Sequence, residues 1–210
     1  MTNKNRFLSA RNMALMGMLG AMAALLMYLE VPLVFLAPNF YKMDFSEIPV
    51  MVGTFALGPW AGGLIEAIKI LIKLLIKPTS TGGVGELANF VVGCAMASPA
   101  GLLYRANKNK KTAVKSLLLG TLCMTGLGVV VNALVMLPFY SKFMPMDTII
   151  SLGAKIVPAV DSVWTFCLFC VGPFNLFKGL VISLITFLLY KRVSPLIHSF
   201  QDGAKKAKAQ

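Results

Sequence analysis

The chain has 210 residues, of which 57% are hydrophobic and 13% are charged, and its mean hydropathy is +0.76. Soluble domains carry roughly 25% charged residues, so this composition excludes a soluble enzyme, a disordered chain and a disulfide-rich secreted module, and indicates a bilayer protein. The net charge of +12 need not indicate nucleic acid, because Lys and Arg collect on the cytoplasmic side of membrane proteins. We expect no nucleic-acid partner.

Six apolar runs predict membrane-crossing helices, since a helix needs about 20 apolar residues to span the hydrocarbon. The runs are residues 13–29, 48–57, 60–76, 85–104, 114–137 and 171–190. The second is the weakest because it is short. We therefore predict an all-α, six-helix integral membrane bundle in which residues 1–210 form a single domain, with a basic cytoplasmic tail from about residue 194.

The charges predict the orientation of this bundle. Six spans put both termini on one side, and most Lys and Arg residues, including those at 108–111, fall on that side. Since positive charge favours the cytoplasm, we predict that both termini are cytoplasmic. The long connections at 30–47 and 138–162 are then extracellular. Long ordered loops are usually functional, so we expect a ligand to enter from the outer face.

Catalysis is not indicated. The sequence has one histidine, His198, and four cysteines that all lie in apolar runs, so we expect no metal site and no catalytic residue. Cys167 and Cys170 form a CxxC, but apolar neighbours predict buried, inert thiols. No Walker A motif occurs, and energy for uphill transport would therefore have to come from a partner.

Polar side chains within the predicted spans are few and lie toward the outer half. Asn132 is in the fifth span, and Asn175 and Lys178 share one face of the sixth because they are three residues apart. Glu86 and Asn89 have the same spacing in the fourth. Polar groups at membrane depth face protein or water, so they suit either a flat heteroaromatic ligand or hydrogen bonds between helices. For Asn132, Asn175 and Lys178 together we favour the ligand.

Two further patterns have alternative interpretations. Glu66, Lys69 and Lys73 form one polar stripe on the third span, which indicates either a cavity or partner contact, or an intrahelical ion pair with Lys73 reaching outward. Small residues also line the first span at helical spacing, and such stripes let two helices approach closely. That stripe could pack within the bundle or dock on another subunit. Its candidate docking residues are Ala14, Gly17, Gly20 and Ala21.

Three strings carry a resemblance to a known family. They are DFSEIP at 44–49, GELANF at 85–90 and PFNLFKG at 173–179. In order and spacing they are similar to riboflavin-specific S components, the substrate-binding subunits of energy-coupling factor (ECF) transporters. The resemblance covers nearly the whole chain.

The resemblance implies a vitamin site near the outer face, capped by the first outer loop, which binds riboflavin as transported substrate without catalysis or a cofactor. It implies flavin contacts from Asn132, Asn175 and Lys178 above all. The full set of candidate substrate-binding residues is Lys42, Met43, Asp44, Glu47, Asn89, Asn132, Asn175 and Lys178. Whether FMN or flavin analogues also bind is left open.

The resemblance also implies partners in a bacterial plasma membrane. Family members dock on a transmembrane coupling subunit, which brings two ATPases, through an AxxxA-like motif in the first helix. Here Gly17 and Ala21 form a GxxxA, which departs at its first position but stays small. The implied transport model is toppling of the whole subunit within the bilayer.

Other functions remain as alternatives. An S component for another vitamin would differ in few side chains. A stand-alone channel or secondary transporter would need an ion-coupling carboxylate at mid-membrane, for which Glu66 is the candidate. An intramembrane enzyme is disfavoured, because no nucleophile–base pair or metal cluster is visible.

Overall fold

Helices dominate the computed structural model, which describes residues 9–206 except 78 and 80, with side chains described as far as residue 189. The helices are α1 Ala10–Leu26, α2 Glu47–Leu57, α3 Pro59–Ile76, α4 Val84–Ala106, α5 Lys110–Val131, α6 Leu137–Tyr140, α7 Met146–Ala154, α8 Val163–Phe166 and α9 Gly172–Lys206. Two short strands, β1 Val31–Pro32 and β2 Lys42–Met43, pair antiparallel between α1 and α2. The backbone of the predicted tail is helical to Lys206, and residues 207–210 lie outside the described part.

Two π-helical turns lie within longer helical rods. Asn132–Met136 joins α5 to α6, and Cys167–Val171 joins α8 to α9. The sixth helical segment therefore begins at Val163, eight residues before the predicted start at residue 171. The reason is a capping box, in which the Ser162 hydroxyl accepts a hydrogen bond from the Thr165 N–H and starts the helix within the apolar run.

Within the described residues, three helices are long and apolar enough to cross a membrane: Val84–Ala106, Lys110–Tyr140 and Val163–Leu189. α1 and α2 are apolar but shorter. Large apolar side chains also lie exposed on the outside of the bundle, such as Leu75 at 85% and Trp60 at 77%, where lipid would cover them. The prediction of a helical membrane protein is confirmed, while the count of six spans and their orientation stay predictions.

The short helix α2 lies at the centre of the bundle. It contacts α1, α3, α4 and α9, and eight of its residues are buried, from Glu47 to Phe55. It passes directly into α3 at Gly58, whose φ of +104° favours glycine, and Pro59 is the first residue of α3. This tight reversal explains why the predicted second and third spans have almost no connection.

The buried side chains form two clusters. The first surrounds α2 and includes Met51, Ile65 and Met124. The second surrounds the two π turns and includes Phe166 and Phe174. Cys167 and Cys170 belong to the second cluster, in agreement with their prediction as buried thiols.

Close packing of α4 against α5 depends on a glycine. A Cβ atom at Gly120 would lie 2.6 Å from the carbonyl oxygen of Met96, whereas a Cβ at Gly126 of the same helix meets nothing within 4 Å. We expect Gly120→Ala to lower the free energy of unfolding by about 1–3 kcal/mol, because backbone must move to admit the methyl group. Gly126→Ala should be neutral or slightly stabilising. Thermal unfolding in detergent measures both, and equal melting temperatures would contradict this packing.

Candidate functional site

A cavity of about 430 Å³ opens beside α2 and touches both clusters, because Met124 and Phe174 line it. Its volume lies within the range of about 300–1,000 Å³ that small-molecule sites occupy. The structure brings seven of the eight candidate substrate-binding residues to its wall: Lys42, Asp44, Glu47, Asn89, Asn132, Asn175 and Lys178. These residues come from β2, α2, α4, the first π turn and α9 and the segments that join them.

Met43 is the member of the set that does not line the cavity. Its side chain is 4% exposed and packs in the second cluster. Lys42 and Met43 are neighbours on β2, and successive strand residues point to opposite faces. Lys42 therefore faces the cavity, where its ammonium pairs with Glu30 at 2.9 Å.

The segment before α2 is fixed by Asp44. One oxygen of this carboxylate accepts a hydrogen bond from the Lys178 ammonium at 2.8 Å, and the other accepts from the Ser46 N–H at 2.9 Å and from the Ser46 hydroxyl. Burial opposes ionisation of Asp44, but the ammonium groups of Lys178 and Lys69 outweigh it and lower the pKa of Asp44 to about 2. The ion pair therefore persists at neutral pH and holds Lys178 against the cavity wall.

A second tether joins the same segment to Asn132. The Tyr41 hydroxyl donates to Asn132 Oδ1 at 2.7 Å, and Asn132 Nδ2 donates to the Gly128 carbonyl oxygen at 2.8 Å. Burial raises the pKa of Tyr41 well above its usual value, so the hydroxyl keeps its proton and remains a donor. The Tyr41 ring lies 5.7 Å from that of Phe174 and 4.9 Å from that of Phe40, measured between centroids. Sequence reasoning missed Tyr41, although it directly precedes Lys42.

The side-chain amides of Asn175 and Asn89 also lie at the cavity wall and can offer polar groups to a ligand. Asn175 packs over Gly128, where an added Cβ would lie 2.5 Å from Asn175 Nδ2. Gly128 therefore contacts both amides: its carbonyl oxygen accepts from Asn132, and its lack of a side chain leaves room for Asn175. Among the described residues, Asn89 Oδ1 is a buried oxygen without a hydrogen-bond partner, and its residue lines the cavity. A buried, unpaired acceptor is costly, so a donor on a ligand would satisfy it.

The polar stripe of α3 divides between two environments, so neither sequence interpretation describes it fully. Lys69 is fully buried between Glu66 at 2.7 Å and Glu47 of α2 at 2.8 Å, and neither Lys69 nor Glu66 is among the cavity-lining residues. Lys73 does line the cavity and pairs with Glu86 of α4 at 3.0 Å. The carboxylate of Glu86 also accepts from the hydroxyls of Thr79 and Thr81. The described residues contain no cluster of His, Cys, Asp and Glu that could hold a metal ion.

The small-residue stripe of α1 also divides. Ala14 and Ala21 are exposed, and Gly17 is half-buried with nothing within 4 Å of a Cβ placed there. Gly20 is buried, and the Ile68 side chain of α3 occupies the space that a Cβ would need. Gly20 thus serves packing within the bundle, which leaves Ala14, Gly17 and Ala21 as the accessible part of the stripe.

Comparisons with known proteins agree with this architecture. A family model described as "ECF transporter, substrate-specific component" matches residues 11–190. Riboflavin transporter FmnP of Bacillus subtilis (strain 168) is 31% identical over 191 residues, which cover 90% of this chain and 95% of the relative. Riboflavin transporter RibU of Staphylococcus aureus (strain TCH60) is 30% identical over 178 residues, which cover 84% and 87%.

A solved structure shows the same fold. It is described as the S component of a bacterial ECF transporter, and it matches with a TM-score of 0.69 at 29% identity, covering 89% of this chain and 97% of that chain. The likeness extends over whole chains and not over a single motif.

The pKa of Asp44 predicts how its ion pair responds to acid. Because the folded-state pKa is about 2, below the usual 3.8, the stabilisation is fully present above about pH 4 and is lost as pH falls through 2. We expect Asp44→Asn to lower the free energy of unfolding by about 2 kcal/mol or more at pH 7. The variant should also lose the part of the acid sensitivity between pH 4 and 2 that comes from this group.

Thermal unfolding in detergent between pH 2 and 7 measures this effect. Asp147→Asn, at an exposed position of α7, is the matched control and should behave like the unsubstituted protein. An Asp44→Asn variant with the stability of that control would show that the pair contributes nothing.

Proposed function

The chain belongs to the substrate-specific components of ECF transporters, and from that premise we propose that its cavity binds riboflavin for uptake across a bacterial plasma membrane. The relatives named as riboflavin transporters support this substrate. Riboflavin is cargo in this proposal and takes part in no reaction here.

The observation that carries the proposal is the meeting of three amides and one ammonium at a single cavity. Asn89, Asn132, Asn175 and Lys178 supply donors and acceptors, while Met124 and Phe174 add apolar surface. The isoalloxazine ring has flat apolar faces and edges of carbonyl and N–H groups, so apolar walls with a few placed polar groups match it. Lys42, Asp44 and Glu47 complete the proposed site, and Met43 is left out because it packs in the core.

The outer segment, residues 41–46 before α2, acts as the cover of this site. Tyr41 ties it to Asn132 and Asp44 ties it to Lys178. Both tethers therefore end on side chains that we propose to contact the flavin. A flavin entering the cavity from the outer face would require the tethers to open. Re-forming them over the bound vitamin would orient the amide and the ammonium together.

We further propose six spans with cytoplasmic termini, and a coupling subunit with two ATPases as partners. Ala14, Gly17 and Ala21 form the accessible small-residue surface of α1, on which another helix can pack closely. A stand-alone ion-coupled carrier is disfavoured, because its candidate carboxylate Glu66 is buried in an ion pair with Lys69. An S component for another vitamin is a testable alternative.

Titration of the purified chain with riboflavin tests the substrate, with quenching of flavin fluorescence as the readout. We expect one-to-one binding by the chain alone. Asn132→Ala, Asn175→Ala and Lys178→Ala should each weaken it roughly 5- to 150-fold, the equivalent of about 1–3 kcal/mol for a lost buried hydrogen bond. A folded chain that binds another vitamin and not riboflavin would favour the alternative.

A matched pair of glycines separates the site from general stability in the same titration. Gly128→Ala should weaken riboflavin binding roughly tenfold, because the methyl group displaces the Asn175 amide at the cost of about one hydrogen bond. Gly126→Ala, on the same helix with open space around it, should bind like the unsubstituted protein. Unchanged affinity in Gly128→Ala and in the three alanine variants would remove these residues from the site.

Uptake by cells that also carry the coupling and ATPase subunits tests the docking surface. Ala21→Leu should abolish uptake and leave riboflavin affinity unchanged, because the larger side chain prevents close approach at an exposed position of α1. Gly126→Leu places the same final side chain at an exposed position of α5 and should leave uptake intact. Loss of both affinity and uptake in Ala21→Leu would indicate misfolding, and normal uptake would exclude this face.

A further inference from the structure

Lys69 of α3 holds a charge at a position that the proposed function does not explain. Its side chain is 0% exposed, and it is not among the residues that line the cavity. A buried ammonium group is strongly destabilising unless it is paired. Its ammonium donates hydrogen bonds to Glu47 Oε1 at 2.8 Å and to Ser46 Oγ at 3.3 Å, and it forms an ion pair with Glu66 Oε2 at 2.7 Å. An apolar side chain could fill this space without that requirement.

Hydrogen bonds connect the acceptors of Lys69 to the cavity wall. Ser46 accepts from Lys69 and donates its N–H and its hydroxyl to Asp44 Oδ1. Asp44 Oδ2 in turn accepts from the Lys178 ammonium at 2.8 Å. Glu47 provides a second connection, because it accepts from Lys69 and lines the cavity itself. A continuous chain of buried polar contacts thus runs from α3 through the segment before α2 to α9.

We propose that Lys69 is a positioning residue for flavin binding. It does not touch the ligand; it holds Ser46 and Glu47 in place, so that Asp44 keeps the Lys178 ammonium at the cavity wall. The inference rests on the proposed function and extends it to a residue behind the wall.

The charge balance of the cluster explains why this role needs a cation. Asp44, Glu47 and Glu66 are three carboxyl groups, and Lys69 and Lys178 are the two ammonium groups that pair with them. Without Lys69, the three carboxyl groups would share the field of Lys178 alone. Lys178 would then be drawn from Asp44 toward Glu47, and the segment that covers the cavity would lose its anchor on α3.

Lys69→Met tests the proposal, because methionine keeps much of the length and volume of lysine and removes the charge. Riboflavin affinity should fall at least roughly 30-fold, mainly through faster dissociation, as expected when one partner of a buried charge pair is removed. Equilibrium quenching gives the affinity and stopped-flow displacement gives the dissociation rate. Leu117→Ala on α5, buried in the first cluster, should lower stability and leave the dissociation rate unchanged.

A double-mutant cycle separates positioning from a general effect on stability. If Lys69 acts through Asp44, Lys69→Met should weaken binding less than about threefold further in an Asp44→Asn background, because coupled residues are not additive. A purely structural role predicts the full factor again. Additive effects, or an unchanged affinity in the single variant, would overturn the proposal.

Ser46→Ala decides the matter if Lys69→Met does not fold. It removes one hydroxyl between Lys69 and Asp44 without changing charge, and it should weaken binding roughly 5-fold or more with faster dissociation. An unchanged dissociation rate in this variant would overturn the proposal. Failure of the unsubstituted chain to bind riboflavin would instead contradict the proposed function, so the two failures are distinguishable.

Discussion

The ion pair between Asp44 and Lys178 joins the segment before α2 to the second turn of α9, and the shape of the cavity depends on it. Both groups are buried, so their attraction and their added hydrogen bonds must offset the removal of two charges from water. Ser46 supplies the added bonds to Asp44. Because Lys178 also lines the cavity, one contact fixes the outer segment and orients a cation at the wall.

The central position of α2 explains how carboxylates reach this depth. A helix of 11 residues is about 16 Å long, roughly half the thickness of the hydrocarbon. The first residue of α2, Glu47, therefore lies part-way along the longer helices that surround it. The neighbouring helices α3 and α9 provide Lys69 and Lys178 at that level. Charged groups are present inside an apolar bundle because each is paired: Lys69 with Glu47 of α2 and with Glu66 of its own helix, and Lys178 with Asp44.

Much of the site was accessible from sequence, because a chain with few polar residues in its apolar spans must turn them toward protein or a cavity. That logic predicted Asn132, Asn175 and Lys178, which line the cavity, and the family motifs added the segment before α2. It could not find the partners of the α3 stripe, since Glu47 and Glu86 come from other helices and only packing brings them together. Sequence reasoning also could not tell which residues of a pattern face the core. Met43 lies among the substrate-binding candidates but is buried, and Gly20 lies in the docking stripe but packs against Ile68. The early start of the last rod was missed because its Ser162 cap lies where a loop was expected.

The π turns set the rotation of the two helical rods that carry Asn132, Asn175 and Lys178. A π turn holds one more residue than an α-helical turn, and each residue of an α-helix turns the chain by about 100°. If Cys167–Val171 became a regular α-helical turn with all its residues kept, Asn175 and Lys178 would swing about a quarter of a turn relative to α8, whereas removing one residue in the same step would restore their direction. The apolar length of the rod would hardly change. Membrane insertion would tolerate either form of this turn, while the alignment of the candidate site would not tolerate the extra residue in a regular turn, so the wide turn is required by the cavity and not by the bilayer.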